Sequence, residues 1–383
     1  MEKGPQVIGE GAYGCIHKPS IRCGDKHNIT YKNKISKVMS KKEAKNELRE
    51  YRKIAMVDPN RHYFLGKPTL CHLDNSERAM AAIAKCRHGD ELLEEMDKLA
   101  LLVMNDGGYN LEVYADSIVS QKSTPENRHR FEIFWLEAYR ILQGIDLLLK
   151  HDLLHQDVKA QNLVYQESKH RINFIDFGFM NNRSKILEES RESNNWLSRH
   201  HWSYAFEIEF LDKERYDTFA KKTDQEKREF FTKYLTKLEE GVIDRHTEAF
   251  RGAFSVLIST HISKTDQDKT MKQFMDDYYK TLMNDIRPGN YDAFLVKAID
   301  TMDLYGAGMA FTYVLNQGEH LLDEGLAADL RELCYSMTTP HLFSRIGISE
   351  AMRKYREIFE KHGMLKKHGH ISSKGRNLTR KKT

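Results

Sequence analysis

The spacing of apolar positions changes several times along this chain, and each change marks an element. Val7-Ile8-Gly9-Glu10-Gly11-Ala12-Tyr13-Gly14-Cys15-Ile16 reads as strand, glycine-rich turn and strand. A polar linker from Arg22 to Lys34 leads into Lys34-Ile35-Ser36-Lys37-Val38-Met39, a further strand. Ser40-Lys41-Lys42-Glu43 is a capping-box pattern. Leu48, Tyr51, Ile54 and Ala55 follow it at three- and four-residue steps, which predicts an amphipathic helix ended by Asp58-Pro59. A strand over Pro68–Leu73 and a helical stretch around Ala79–Met96 come next, and the pattern assigns them no role. Leu99-Ala100-Leu101-Leu102-Val103-Met104 is a continuous apolar run of strand length, broken by Asn105-Asp106-Gly107-Gly108.

Thr124-Pro125 reads as an N-cap followed by a first-turn proline. Phe131, Phe134, Ala138, Ile141, Leu142, Ile145, Leu148 and Leu149 then form a core-facing helical stripe. Farther on, charged helical stretches over Tyr216–Glu240, Thr247–Ile262 and Thr270–Ile286 carry apolar stripes such as Phe230, Phe231, Tyr234, Leu235 and Leu238. Periodic apolar residues over so long a segment predict that it packs. Ser349 is expected to cap a last amphipathic helix bearing Met352, Tyr355, Ile358 and Phe359. There is no internal repeat.

With 383 residues, 40% of them hydrophobic and 30% charged, the composition is that of a soluble globular protein with one large two-lobed domain or two ordinary ones. No apolar run approaches the roughly 18–20 residues of a membrane span, so no membrane partner is expected. Met1-Glu2-Lys3-Gly4-Pro5 lacks the apolar core of a secretory signal. Five scattered cysteines, an odd number, point to reduced thiols in a cytoplasmic compartment. Cys71-His72 and Cys86 with His88 lack the paired spacings of a zinc module. A net charge of +4 conceals a basic end, in which Lys361, Lys366, Lys367, Lys374, Arg376, Arg380, Lys381 and Lys382 stand with no acidic residue among them. Such a tail is expected to be disordered, and it either attracts nucleic acid, an acidic partner or a nuclear-import receptor, or only solubilises the terminus.

Two polar clusters carry candidate chemistry. His155-Gln156-Asp157-Val158-Lys159-Ala160-Gln161-Asn162 joins an imidazole, a carboxylate, an ammonium and an amide, although a solvated loop would fit it alone equally well. Ile175-Asp176-Phe177-Gly178 places a second carboxylate at a strand end beside a glycine that bends the chain, as a metal-bound phosphate requires. The three glycines of the first hairpin let backbone N–H groups approach phosphate oxygens. A dinucleotide-binding turn would need a helix straight after the third glycine, whereas Cys15-Ile16 runs on into Lys18-Pro19, which opposes one.

In this order, the segments resemble the glycine-rich loop, catalytic loop and DFG metal loop of eukaryotic-type protein kinases, over about Ile8 to Phe359. The resemblance implies an α+β bilobal kinase fold: a small β-rich N-lobe over residues 1–104, a large helical C-lobe over 105–360 with a helical insertion at about 208–299, and the basic tail 361–383. It implies that ATP is held by Ile8, Gly9, Gly11, Tyr13, Gly14, Ile16, Ile35, Lys37, Met104, Asn105, Gly107 and Val164. Lys37 would grip the α- and β-phosphates and pair with Glu47, or failing that Glu50. Asp157 would be the base, Lys159 the group that neutralises the γ-phosphate, and Asn162 and Asp176 the ligands of magnesium, or of manganese in its place.

Supporting roles follow from the same likeness. Phe177, beside Gly178, is expected against His155 and the glutamate helix. Asp303, in Asp300–Gly308 at the expected start of the central helix, would brace the catalytic loop. Tyr204-Ala205-Phe206-Glu207 resembles a degenerate Ala-Pro-Glu motif whose Glu207 pairs with Arg345. Ser184, Ser190, Ser193, Ser198 and Ser203 offer hydroxyls in the activation segment. Lys159 resembles serine/threonine kinases acting on a protein substrate. Gln156, where many kinases have arginine, implies that activity does not strictly need activation-loop phosphorylation. Glu47-Leu48-Arg49-Glu50-Tyr51 resembles the casein-kinase-1 and vaccinia-related group. The long insertion, expected to dock, to inhibit or simply to pack, is similar to that of kinases of nucleocytoplasmic large DNA viruses. That would place the protein in host cytoplasm or virion, or in the nucleus through its tail. Two alternatives stand beside this reading: an aminoglycoside- or choline-type phosphotransferase, disfavoured by Lys159, the full DFG, Asp303 and Arg345, and a pseudokinase scaffold, disfavoured by the complete set of ATP and metal residues.

Overall fold

The computed structural model describes residues 4–11, 14–25, 28–194, 201–261 and 271–368. The chain divides into two compact units, one formed by Met1–Gly108 with Asn173–Gly178, the other by Tyr109–Ile172 with Phe179–Thr383. The first unit therefore extends past residue 104 and includes the DFG segment, which the sequence reading placed with the helical part. The Phe174 N–H donates to the Tyr63 carbonyl at 2.8 Å, and the Phe177 ring packs edge-on against Tyr51 at 5.2 Å.

The first unit holds strands β1 (Gln6–Gly11), β2 (Gly14–Lys18), β3 (Lys34–Ser40), β4 (Thr69–Cys71) and β5 (Leu99–Asn105). They form one sheet in the order β1-β2-β3-β5-β4. Its helices are α1 (Lys41–Val57), α2 (Glu77–Ile83) and α3 (Gly89–Glu94). The unbroken apolar run of β5 has a simple cause. Leu99, Leu101 and Val103 pack with Ala79, Ala82 and Ile83 of α2, while Ala100 and Leu102 pack with Ala44 and Leu48 of α1. A strand covered on both faces has no reason to alternate. This also gives the segment before β5 its role, as the second cover of the sheet. Its expected single helix is two, separated at Ala84–His88.

Four of the five cysteines are not reduced thiols. Cys15 is joined to Cys86 and Cys23 to Cys71, leaving Cys334 free and buried. Sequence separations of 71 and 48 hid both pairs, because only packing of the α2 segment over the sheet brings them together. Cys86 lies beside His17, not His88, with Sγ 3.7 Å from Nε2. Titration of denatured, unreduced protein with a thiol reagent is expected to find one thiol per chain, and five would refute the pairing.

The second unit is mostly helical. Strands β6 (Tyr109–Asn110) and β8 (Leu163–Gln166) pair antiparallel, as do β7 (Leu153–Leu154) and β10 (Asn181–Asn182), while β9 (Arg171–Phe174) has its first two residues in this unit and its last two in the first. Helices α4 (Leu111–Ile118), α5 (Pro125–Lys150) and α6 (Arg183–Arg191) precede α7 (Lys213–Ala220), α8 (Asp224–Glu239), α9 (Arg245–His261) and α10 (Met271–Asp285). Then come α11 (Tyr291–Gly318), α12 (Glu324–Thr338), α13 (Ile348–Lys361) and α14 (Met364–His368). The insertion packs: Phe210, Tyr216, Phe231, Phe250, Tyr279 and Leu282 share one core with Phe294, Leu295, Ile299 and Met309 of α11. Its first expected helix is divided between α7 and α8.

Three further expectations are corrected. Asp303 lies in the middle of α11, not at its start, since the helix already begins at Tyr291. Ser349 lies inside α13, whose N-cap is Gly347, without a side-chain cap. The tail is ordered through α14: Lys361 Nζ, at the end of α13, meets Asp329 Oδ2 at 2.7 Å, and in α14 Lys367 Nζ meets Glu132 Oε2 at 2.7 Å. The remaining tail, 369–383, lies outside the described residues. No helix among the described residues is long and apolar enough to cross a membrane.

Candidate active site

Each unit holds its own set of polar groups. In the first, register fixes the glycine-rich hairpin over the lysine strand: Gly9 faces Ile16, and Ile16 faces Lys37. Gly14 is required by close approach, since a Cβ there would stand 2.6 Å from the Val38 carbonyl oxygen. Ile8 is exposed and Ile16 half-buried, Gly11 ends β1, and Tyr13 lies outside the described residues. Ile35 faces Met104 across β3 and β5. Asn105 commits its side chain within this unit, accepting from Lys34 Nζ at 2.6 Å and donating to the Leu65 carbonyl at 2.6 Å. Gly107 is buried just beyond it.

Lys37 Nζ lies 2.7 Å from Glu47 Oε2 in a nearly buried pair, and Glu50 pairs instead with Lys53. The capping box determines which glutamate reaches the lysine. Ser40 Oγ accepts from the Glu43 N–H at 3.2 Å and so fixes the start of α1 and its phase. Burial works against the Lys37 charge, but Glu47 and then Asp176 outweigh it and hold the ammonium above its ordinary pKa. Asp176 is in the left-handed region at φ +60°, and the Gly178 N–H donates to its Oδ1 at 3.4 Å. Backbone strain of this kind persists where the surroundings over-determine it. Tyr51 and Phe64 do so here by enclosing the fully buried Phe177.

In the second unit, α11 shapes the catalytic loop. Asp303 accepts from the His155 N–H at 2.7 Å and the Gln156 N–H at 2.8 Å. One turn on, Gly306 lies under Val158, where a Cβ would drive into the carbonyl oxygen. Aspartate and glycine three apart thus lie on the one helix face that carries the loop. Burial raises the Asp303 pKa, opposed by His155 and these two N–H groups. Gln156 is held at φ +61°, and its Nε2 donates to the Phe179 carbonyl at 2.7 Å.

Asp157 is 2% exposed. Asn162 Nδ2 donates to its Oδ2 at 2.7 Å and to its carbonyl at 2.9 Å, and Lys159 Nζ lies 3.0 Å from Oδ1. Asn162, with Nδ2 so engaged, presents Oδ1 as a metal-ligating oxygen. That amide oxygen and the Asp176 carboxylate are hard ligands of the kind a divalent cation takes. Val164 is buried in β8. Glu207 and Arg345 form a fully buried ion pair, and Arg345 also donates through Nη2 to the Thr339 carbonyl at 3.1 Å and lies 4.7 Å over the Tyr305 ring.

The sequence reading missed one member. The Tyr204 hydroxyl donates to Asp157 Oδ1, the oxygen that faces Lys159. In the sequence Tyr204 is only a flank of the degenerate Ala-Pro-Glu motif, and no sequence signal directs its hydroxyl to Asp157. His201 packs edge-on against it at 5.9 Å. Burial and the neighbouring Lys159 push the His201 pKa down to about 4, so the imidazole stays neutral there. Of the activation-segment serines, Ser190 and Ser203 are buried, Ser184 Oγ bonds Asp152, Ser193 Oγ accepts from the Glu214 N–H, and Ser198 lies outside the described residues.

A family model described as protein tyrosine and serine/threonine kinase matches residues 3–225. Asp303 and Arg345 lie beyond that range. No curated protein matches the chain.

Proposed function

The chain belongs to the protein tyrosine and serine/threonine kinase family, and from that premise we propose that it phosphorylates serine and threonine hydroxyls of a protein substrate, using ATP with magnesium. The observation that carries the reading is the set of bonds on Asp157. A base must be fixed in place yet present one oxygen to the acceptor. Asn162 holds Oδ2, Asp303 holds the loop backbone, and Oδ1 already receives a hydroxyl, that of Tyr204. Asp157 takes the acceptor proton, and Lys159 beside the same oxygen offsets charge gathering on the transferred group. Lys37, kept cationic by Glu47, supplies charge to the phosphates. Magnesium, when bound, draws charge from the phosphates, with Asn162 and Asp176 as its protein donors. Preference for serine and threonine rests on Lys159, and the narrower kinship with casein-kinase-1-like viral enzymes rests on Glu47–Tyr51 and the insertion.

The test is transfer of labelled γ-phosphate from Mg-ATP to mixed protein substrates against small alcohols, with phosphoamino-acid analysis of the product. Label on serine and threonine of protein is expected. Label on the alcohols alone would replace the reading with a small-molecule phosphotransferase.

Gln156 supports a further feature. An arginine there would bring a buried positive charge in need of a phosphate partner. Gln156 is neutral, and the Phe179 carbonyl takes its amide N–H. Phosphatase-treated protein is therefore expected to reach the same steady-state rate as untreated protein. A permanent loss of activity after treatment would contradict this.

A further inference from the structure

The glycine-rich hairpin carries a cluster of metal-ligating atoms that phosphate transfer does not use. Cys15 and His17 alternate along β2 and so share one face of it. On that face His17 Nε2 lies 3.8 Å from Cys15 Sγ and 3.7 Å from Cys86 Sγ, and Glu10 Oε1 lies 3.9 Å from Cys15 Sγ. Cys15, His17 and Cys86 are buried, whereas Glu10 is partly exposed at the rim. A tetrahedral zinc bonds sulfur at about 2.3 Å and nitrogen at about 2.0–2.1 Å, which sets a sulfur and a nitrogen ligand about 3.5 Å apart and two sulfurs about 3.8 Å apart. The three measured separations are already near those of such a site, and only the two sulfurs, bonded to each other, have to part. The imidazole is also incompletely used. Nε2 lies 3.1 Å from the Ala82 carbonyl oxygen, which the Lys85 N–H also reaches at 3.3 Å, and Nδ1 is buried without a hydrogen-bond partner. Buried polar atoms are nearly always paired, so a ring left in this state suits a further bond.

We propose that Cys15, His17, Cys86 and Glu10 bind a zinc ion when the Cys15–Cys86 bond is reduced. Reduction by two thiol molecules breaks the S–S bond: each sulfur gains one electron and one proton, and the two donors couple to a disulfide. Zinc then displaces the two thiol protons. The two thiolates balance the charge of the ion, and the Arg87 guanidinium, with Nε 3.7 Å from Glu10 Oε2, offsets the remaining carboxylate charge. Thiolate and imidazole ligands select zinc over magnesium and calcium, which take oxygen. When Nε2 turns to the metal, the Ala82 carbonyl keeps its bond from the Lys85 N–H. The ligands come from β1, β2 and the junction between α2 and α3, so disulfide and zinc alike fasten the hairpin to the segment that covers the sheet. The reduced, metal-free state alone releases it. The second pair is built differently: among the described residues, only the exposed Asp25 joins Cys23 and Cys71 as a third ligand.

The experiment uses the full chain with Cys23→Ser and Cys71→Ser, reduced with a phosphine, freed of reductant and metal under argon, and titrated with zinc and with cobalt. One zinc per chain is expected. Cobalt should give the intense d–d bands of a tetrahedral ion and a thiolate-to-cobalt charge-transfer band, both erased by zinc. The same chain left oxidised should bind neither ion at this site. Cys15→Ser with Cys86→Ser is expected to lose binding entirely, with circular dichroism checking that it is folded. Glu10→Gln, at a partly exposed position that leaves the core intact, should weaken zinc binding by about 10–100-fold, the loss that follows removal of a group supporting a metal site. A folded, reduced chain that shows no charge-transfer band overturns the inference. So does zinc retained by the Cys15→Ser, Cys86→Ser chain, and unchanged affinity in Glu10→Gln overturns the place of the carboxylate. None of these measurements depends on phosphate transfer, so their failure leaves the kinase reading standing.

Discussion

Asp157→Asn is expected to lower the rate of phosphoryl transfer by about 10²–10⁴-fold, the usual contribution of a positioned acid–base group. The substitution is nearly isosteric. Its amide oxygen still accepts the Asn162 bond, and Asp303 still holds the loop through the His155 and Gln156 N–H groups. What disappears is the negative oxygen that takes a proton, and with it the partner of Lys159. The loss should therefore fall on kcat, leaving KM for ATP little changed, because Lys37, Glu47 and Asp176 are untouched. Steady-state kinetics with varied ATP separates the two. A variant with wild-type kcat would show that Asp157 is not the base. A variant that fails on KM for ATP alone would point to a nucleotide-binding role in its place.

How much of this was legible beforehand depends on the range over which each feature is determined. Lys37 with Glu47 was readable because a capping box sets the phase of α1, and the pairing then follows from counting residues along one helix. The burial of Asp303 and its grip on the catalytic loop were foreshadowed by a motif, but its mid-helix position was not. The preceding turns of α11 are apolar on the side that meets the insertion, so they extend the helix back to Tyr291. Both disulfides and the bond from Tyr204 to Asp157 escaped. Each joins positions far apart in sequence whose meeting depends on packing that no local pattern records. The segment before β5 escaped for the same reason: its helices make sense only once β5 is seen to be covered on both faces.

Arg345→Met is expected to destabilise the protein by about 3–5 kcal/mol, as breaking a buried ion pair on one side does. Arg345 and Glu207 are both essentially inaccessible to water. Burial works against the guanidinium charge, yet Glu207, then Tyr278 and Tyr305, hold the Arg345 pKa above its ordinary value. Removing the arginine strands the Glu207 carboxylate and frees the Thr339 carbonyl and the Tyr305 ring face. The double variant Glu207→Gln with Arg345→Met takes both charges away together. It should recover a large part of the loss, because most of the single-variant cost is an unpaired buried charge. Denaturant midpoints of the two singles and the double, compared as a cycle, measure this coupling. Equal and additive losses would mean that the pair contributes packing alone.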